Sequence, residues 1–272
     1  MKTEITVIID NIPGSMLEGE WGLCLLIKFR GKKILVDAGA SNLFLENMKG
    51  LGENIEDVEY AVLSHAHYDH ANGMPAFFDH NTRAKLYVSE EAAEDCYKKG
   101  FLFRKYIGIP QNMMRDHADR IERISGNRMI AEGVYLIPHK KGELSAVGKR
   151  EKMYRRIRHR WIPDDFSHEQ SLVLDTDRGL LIVNSCSHGG VSVILEEVRS
   201  AFPGKNVYGY IGGMHLFNKT ETEIMAVAEI LKNADLEYIC TGHCTRNRAF
   251  EILKQQLGDK LAQLQVGMKI EI

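Results

Sequence analysis

Proline is scarce in this chain, with 6 in 272 residues, and the 5 cysteines are an odd number without a single Cys-x-x-Cys pair. So little proline excludes a collagenous or Pro-rich extended chain. The cysteines do not form a disulfide framework, which a chain of this length does not need to hold its core. Reduced thiols and a cytoplasmic protein are expected. Neither sign of charge dominates, since 35 Lys+Arg stand against 37 Asp+Glu, a formal net charge of −2. That balance argues against a nucleic-acid partner, because such affinity rests on an excess of cations. No stretch of about 18 uncharged apolar residues occurs, so no membrane span is expected. The first residues also lack the basic start and apolar run of a secretory signal. Internal repeats of fixed period are absent as well.

What remains has the composition of an ordinary folded globule, with 44% hydrophobic and 26% charged residues. One domain spanning 1–272 is expected, with an insertion at about 100–166. Apolar runs predict strands over 5–10, 23–29, 33–37, 59–64 and 84–89, with a hairpin signal at Gly31-Lys32. A helix is predicted over 41–52, and the Ser89-Glu90-Glu91 cap signal predicts another. Beyond residue 100 the texture turns to methionine, arginine and glycine without steady periodicity. The β/α rhythm returns with strands over 171–175, 180–185, 206–211 and 236–240, helices over 191–202, 220–234 and 247–257, and a last strand or pair over 264–272. This pattern suits two sheets face to face with helices outside.

The strongest feature is Ser64-His65-Ala66-His67-Tyr68-Asp69-His70 at the end of an apolar strand. Alternate side chains of an extended chain share a face, so His65 and His67 can grip one ion while the following turn offers Asp69 and His70 to another. Imidazole and carboxylate suit zinc, with iron or manganese as alternatives. His188 and His243 also lie just past apolar strands, and strand ends on one edge of a sandwich can converge.

With these residues the sequence resembles the metallo-β-lactamase superfamily, whose His-x-His-x-Asp-His signature His65 to His70 match in full. The resemblance covers nearly the whole chain and implies a four-layer αββα sandwich, here with an inserted lid. Leu35-Val-Asp37-Ala-Gly39 resembles the family's Asp-x-Gly, where the aspartate supports the metal-binding loop. Asn184-Ser-Cys186-Ser-His188-Gly189, Ile211-Gly-Gly-Met-His215-Leu and Thr241-Gly-His243-Cys244-Thr resemble a subgroup that includes methanopterin-biosynthesis enzymes, sometimes labelled dihydropteroate-synthase-like. The family pattern implies His188 as third ligand beside His65 and His67, and His243 beside Asp69 and His70. The usual bridging aspartate is missing from 180–190, where Cys186 stands nearest. A second alignment makes His168 the third histidine and puts Cys186 or His188 at the bridging place, so one or two ions are open. His215, after two glycines, is a ligand, a proton donor to the leaving group or a structural residue.

The run 149–160 carries seven cations, and Arg156 and Arg158 within it are candidates to clamp an anionic substrate beneath a mobile lid. An ion with an open position acidifies bound water to a pKa of about 7, so hydroxide attack on a phosphoester or acyl carbon is expected, with Asp69 orienting the nucleophile. Rival readings are a pterin-related condensing enzyme of the same fold, a ligand-binding sensor with little turnover, and a nuclease. Oligomeric state is not legible.

Overall fold

The hairpin joining Cys24–Phe29 to Lys32–Val36 turns on Arg30 and Gly31, both at positive φ (+47° and +76°) with Phe29 facing Lys32. A two-residue turn of this hand matches the twist of the flanking strands. The turn sits one residue before the expected position. The computed structural model describes residues 3–140 and 144–272. These strands belong to a seven-stranded sheet in the order Lys269–Glu271, Glu4–Ile9, Cys24–Phe29, Lys32–Val36, Tyr60–Val62, Lys85–Ser89, Ile121–Ile124. A second seven-stranded sheet runs Leu261–Gln263, Tyr238–Thr241, Val207–Ile211, Gly179–Val183, Gln170–Thr176, Val134–Pro138, Arg128–Ala131.

The two sheets pack face to face, which explains why their strands read as near-continuous apolar runs. Leu25 and Ile27 point inward onto Leu172, Leu174 and Ile211 of the facing sheet, while Leu26 between them points outward onto Phe44 and Phe77. On the far side Ile182, Tyr210 and Ile239 pack against Ile194, Leu231 and Leu253 of the helices Val191–Ala201, Glu221–Asn233 and Arg246–Leu257. Each fully buried side chain of this size contributes roughly 1.5–3 kcal/mol. Helix, sheet, sheet and helix are thus the four layers. No described helix is long and apolar enough to cross a membrane.

Four segments of the second sheet run parallel, Gly179–Val183, Val207–Ile211, Tyr238–Thr241 and Leu261–Gln263. Tyr60–Val62 is parallel to its neighbours in the first. The loops bearing His65 to His70, His188, His215 and His243 therefore all leave the carboxyl ends of parallel strands, at one rim of the sandwich. That rim is where open α/β sheets place their ligands.

Three expectations are corrected. Ser89-Glu90-Glu91 starts no helix. The Ser89 hydroxyl donates to the Ser167 carbonyl, and Arg123 and Arg155 donate to the carbonyls of Glu90, Ala92 and Glu91, tying the segment to distant parts of the chain after a single turn; the strand Cys96–Lys99 follows. The stretch 100–166 is not one block, because Ile121–Ile124 joins the first sheet and Arg128–Ala131 and Val134–Pro138 the second. What lies outside them is a four-stranded sheet, Arg160–Pro163, Met153–Ile157, Cys96–Lys99, Arg104–Tyr106. The terminal pair is Leu261–Gln263 and Lys269–Glu271, split between the two sheets across Gly267 at φ +85°.

Candidate metal centre

Asp37 follows the strand Lys32–Val36 at φ +60° and is fully buried. Its Oδ1 accepts from the Ser64 N–H at 2.7 Å, and its Oδ2 from the Ser64 hydroxyl and from His70 Nδ1, each at 2.7 Å. These bonds fix two tautomers. His70 carries its proton on Nδ1, leaving an Nε2 lone pair. The Ser64 hydrogen is given to Asp37, so at 2.8 Å His65 Nδ1 must donate to Ser64 Oγ, again freeing Nε2. His243 Nδ1 faces the Asn11 side-chain oxygen at 3.3 Å, which leaves its Nε2 unprotonated too.

Ring nitrogens from separate loops converge at this rim. His70 Nε2 stands 3.2 Å from His243 Nε2, and His67 Nδ1 stands 3.1 Å from His188 Nε2, with His67 Nε2 turned toward Asp164 at 4.0 Å. Asp69 Oδ2 is 3.5 Å from His243 Nε2, and Cys186 Sγ is 3.3 Å from His70 Nε2. Ligands at about 2.0–2.1 Å from a tetrahedral ion are separated by roughly 3.3 Å, so these spacings fit a cation between the atoms. His65, His67 and His188 form one group able to hold an ion, and Cys186 belongs to others with His65 and His70, with His188 and His215, and with His243 and Cys244.

Burial, followed by the neighbouring imidazoles, holds His65, His67 and His188 well below the ordinary histidine pKa, and the same causes act on His243. Neutral imidazole is the form that binds metal. Burial also depresses His70, but Asp37 and then Asp69 outweigh it and raise His70 to about 8. Burial pushes the Asp69 carboxyl up and the Cys186 thiol well up.

His215 lies against His188, ring centroids 4.3 Å apart, and neither of its ring nitrogens has a hydrogen-bond partner. A Cβ at Gly213 would fall 2.4 Å from Cys244 Sγ and 2.6 Å from the Ser185 carbonyl, so only glycine admits this loop. Asp37, Ser187, His215 and His243 all hold φ between +47° and +60°, strain of order 1 kcal/mol apiece that the surrounding fold sustains.

His168 does not join the facing pairs. Its Nδ1 accepts from the Ala66 N–H at 3.1 Å, and its Nε2 donates to Asp164 at 3.2 Å, so both nitrogens are engaged and it braces the histidine loop. Asp164, pushed up by burial but pulled down further by His168, reaches about 2. Arg156 and Arg158 lie on the exposed hairpin of the small sheet, away from the histidines. Arg156 packs over Trp161, and Arg158 with His159 makes the turn. Their neighbour Arg155 is buried against Asp95 at 3.0 Å.

Two supports escaped the sequence. His139 sits between Glu197 at 2.6 Å and Glu169 at 3.0 Å, and although burial opposes it these carboxylates raise it to about 10. Glu169 in turn accepts from the His188 N–H at 3.0 Å. Glu151, held by Lys219 and Asn218, lies 3.9 Å from His215 Nε2. Only the fold joins these separated positions. Over the histidines is a cavity of about 100 Å³, walled by Trp21, Tyr68, Phe217 and, from the small sheet, Lys98 and Met153.

The family model described as the metallo-beta-lactamase superfamily matches residues 22–243. The chain belongs to this superfamily. Its members are mostly metal-dependent hydrolases, and the shared fold binds divalent metals. Among relatives, a 7,8-dihydropterin-6-methyl-4-(beta-D-ribofuranosyl)-aminobenzene-5'-phosphate synthase of Methanocaldococcus jannaschii is 26% identical over 266 residues, covering 92% of this chain and 89% of that protein. The crystal structure of Tm1679, a metal-dependent hydrolase of the beta-lactamase superfamily, is 25% identical with a TM-score of 0.85 over 99% of each chain. Zn(2+)-bound PqqB from Methylobacterium extorquens shares the superfamily fold at a TM-score of 0.59 and 7% identity, over 99% of this chain and all (100%) of that one.

Proposed function

We propose that the chain is a metal-dependent hydrolase acting on an ester or phosphoester bond of a small anionic substrate. His65, His67 and His188 would hold one divalent ion, and Asp69, His70 and His243 would hold a second. Zinc suits this donor set best. The observation that carries the reading is the convergence of three buried imidazoles from two different loops, since the ligand nitrogens of His65, His67 and His188 lie within 4.8 Å of one another and burial keeps all three rings neutral, the form that binds metal. When bound, the ions supply Lewis acidity and acidify a water to a pKa of about 7.

This chain's own residues do the remainder. Asp37 and Ser64 hold the ring tautomers, Asp69 accepts a hydrogen bond that orients the nucleophile, and His215 hands a proton to the leaving oxygen from a ring with no competing partner. The small sheet, through Lys98 and Met153, serves as the lid that excludes water. The five unpaired, buried thiols fit a reducing compartment, the cytoplasm.

His67→Ala should abolish both metal content and hydrolysis, and undiminished hydrolysis by metal-free protein would overturn the reading. The likeness to a synthase over 92% of the chain supports a second reading, condensation of a pterin with a phosphorylated sugar-arylamine. Parallel assays with phosphodiesters, lactones and pterin diphosphates separate the two.

A further inference from the structure

Arg156 and Arg158 stand apart from the histidines on their exposed hairpin, yet a second cavity adjoins the metal centre. Its volume is about 380 Å³, and its walls include Asn11, Phe217, His243, Arg246 and Arg248. Phe217 and His243 also wall the cavity over the histidines, so the two spaces share a partition. Trp21 completes it, its ring 4.9 Å from His243 and 5.9 Å from Phe217. The Arg246 guanidinium lies 5.3 Å from the Trp21 ring centroid, and Arg248 Nη1 donates to the Lys219 carbonyl at 3.0 Å.

No carboxylate among the described residues pairs with either arginine, whereas Arg155 of the basic run is buried against Asp95. The Asp10 oxygens at the back of the cavity are taken by the Ile12 and His243 N–H groups. The Thr245 hydroxyl, placed to cap the helix Arg246–Leu257, instead bonds Met214 N–H and Thr241, leaving that helix without a side-chain cap beside the two guanidiniums. Two unpaired cations thus line a space large enough for a tetrahedral oxyanion, three and five residues beyond His243.

We propose that this cavity is the subsite for a phosphate monoester group on the substrate, with Arg246 and Arg248 as its specificity-determining residues. Guanidinium forks match phosphate oxygens in pairs. A phosphate held there fixes the rest of the molecule against Trp21 and Phe217, with its scissile bond at the histidines. The proposal rests on the hydrolase reading for which bond is broken, but not for binding.

Calorimetric titration of the metal-loaded protein with phenylphosphonate, whose carbon–phosphorus bond resists hydrolysis, tests it against phenol and inorganic phosphate. Phenylphosphonate should bind more tightly than either. Replacing both arginines, Arg246→Ala with Arg248→Ala, should weaken it about tenfold or more, the loss of one charge-assisted hydrogen bond or two. The paired lysine replacements should recover part of that loss, and Arg156→Ala with Arg158→Ala should bind as wild type. Unchanged affinity in the first variant would place the anion elsewhere and overturn the subsite, as would an equal loss in the Arg156/Arg158 variant. Inorganic phosphate binding as tightly as phenylphosphonate would overturn the substrate-tail assignment. Because binding is read directly, failure of hydrolysis with every ester would leave this result standing.

Discussion

Asp37→Asn is the sharpest single perturbation of this centre, because it changes one atom and leaves the volume intact. Three donors converge on the carboxylate, Ser64 N–H, Ser64 O–H and His70 Nδ1–H, all at 2.7 Å. An amide has one oxygen, so whichever way it turns a donor meets a donor. The cheapest relief is for His70 to move its proton to Nε2, the atom that faces His243 and the proposed second ion. Loss of such an outer support lowers metal affinity about 10- to 100-fold, or roughly 1.4–2.7 kcal/mol. The effect should depend on pH with a definite sign. In wild type, Asp37 is the main cause holding His70 up at about 8, against its burial, so a proton competes with the ion below that pH and loading weakens by up to tenfold per unit. The amide removes most of that competition, so the Asp37→Asn variant should lose most at pH 8 and progressively less toward pH 6. Competition against a chromophoric chelator across this range measures both slopes. Equal affinity at pH 8, or a parallel pair of slopes, would refute the argument that Asp37 sets the His70 tautomer.

Other outcomes follow from the same geometry. Stripping the ions with a chelator should lower the melting temperature, because the proposed ligands come from both sheets; an ion present at a hundred times its Kd adds about 2.7 kcal/mol, and identical melting curves would contradict it. Asp164, usually near 3.8 when free and at about 2 here, contributes about 2 kcal/mol that is fully present above pH 3.8 and lost as pH falls through 2. Asp164→Asn should flatten the acid limb of a denaturant-midpoint titration over that window. Cobalt-loaded protein should show a sulfur-to-cobalt charge-transfer band if Cys186, 3.3 Å from His70 Nε2, binds an ion, and Cys186→Ser should erase it.

The histidine loop was legible because its chemistry is packed into a few consecutive residues, and Asp37 because it ends an apolar strand two residues before Gly39. The third histidine was ambiguous for a physical reason. His168 and His188 both flank apolar strands, and the fold brings both beside His67; what distinguishes them is that both His168 nitrogens are engaged, by the Ala66 N–H and by Asp164. The arginine run misled because a strand sends neighbours to opposite faces. Arg155 turns inward to Asp95, sixty residues upstream, while Arg156 turns out beside Trp161. The partner strand of that hairpin, Cys96–Lys99, could not be guessed from residues that looked like the start of a helix. His139, Glu169 and Glu151 carry no local signal, since each gains its meaning from partners the fold brings from elsewhere in the chain.

The small sheet formed by 96–106 and 153–163 roofs the histidines yet none of the facing imidazoles comes from it. Roof and anvil are therefore separable: the anvil is clamped between two large sheets and tolerates little, whereas the canopy hangs from two crossings and can be rebuilt residue by residue. Grafting the corresponding two segments from a relative should change which molecules are accepted while the ions stay in place. A lineage built this way can change its diet without relearning its chemistry.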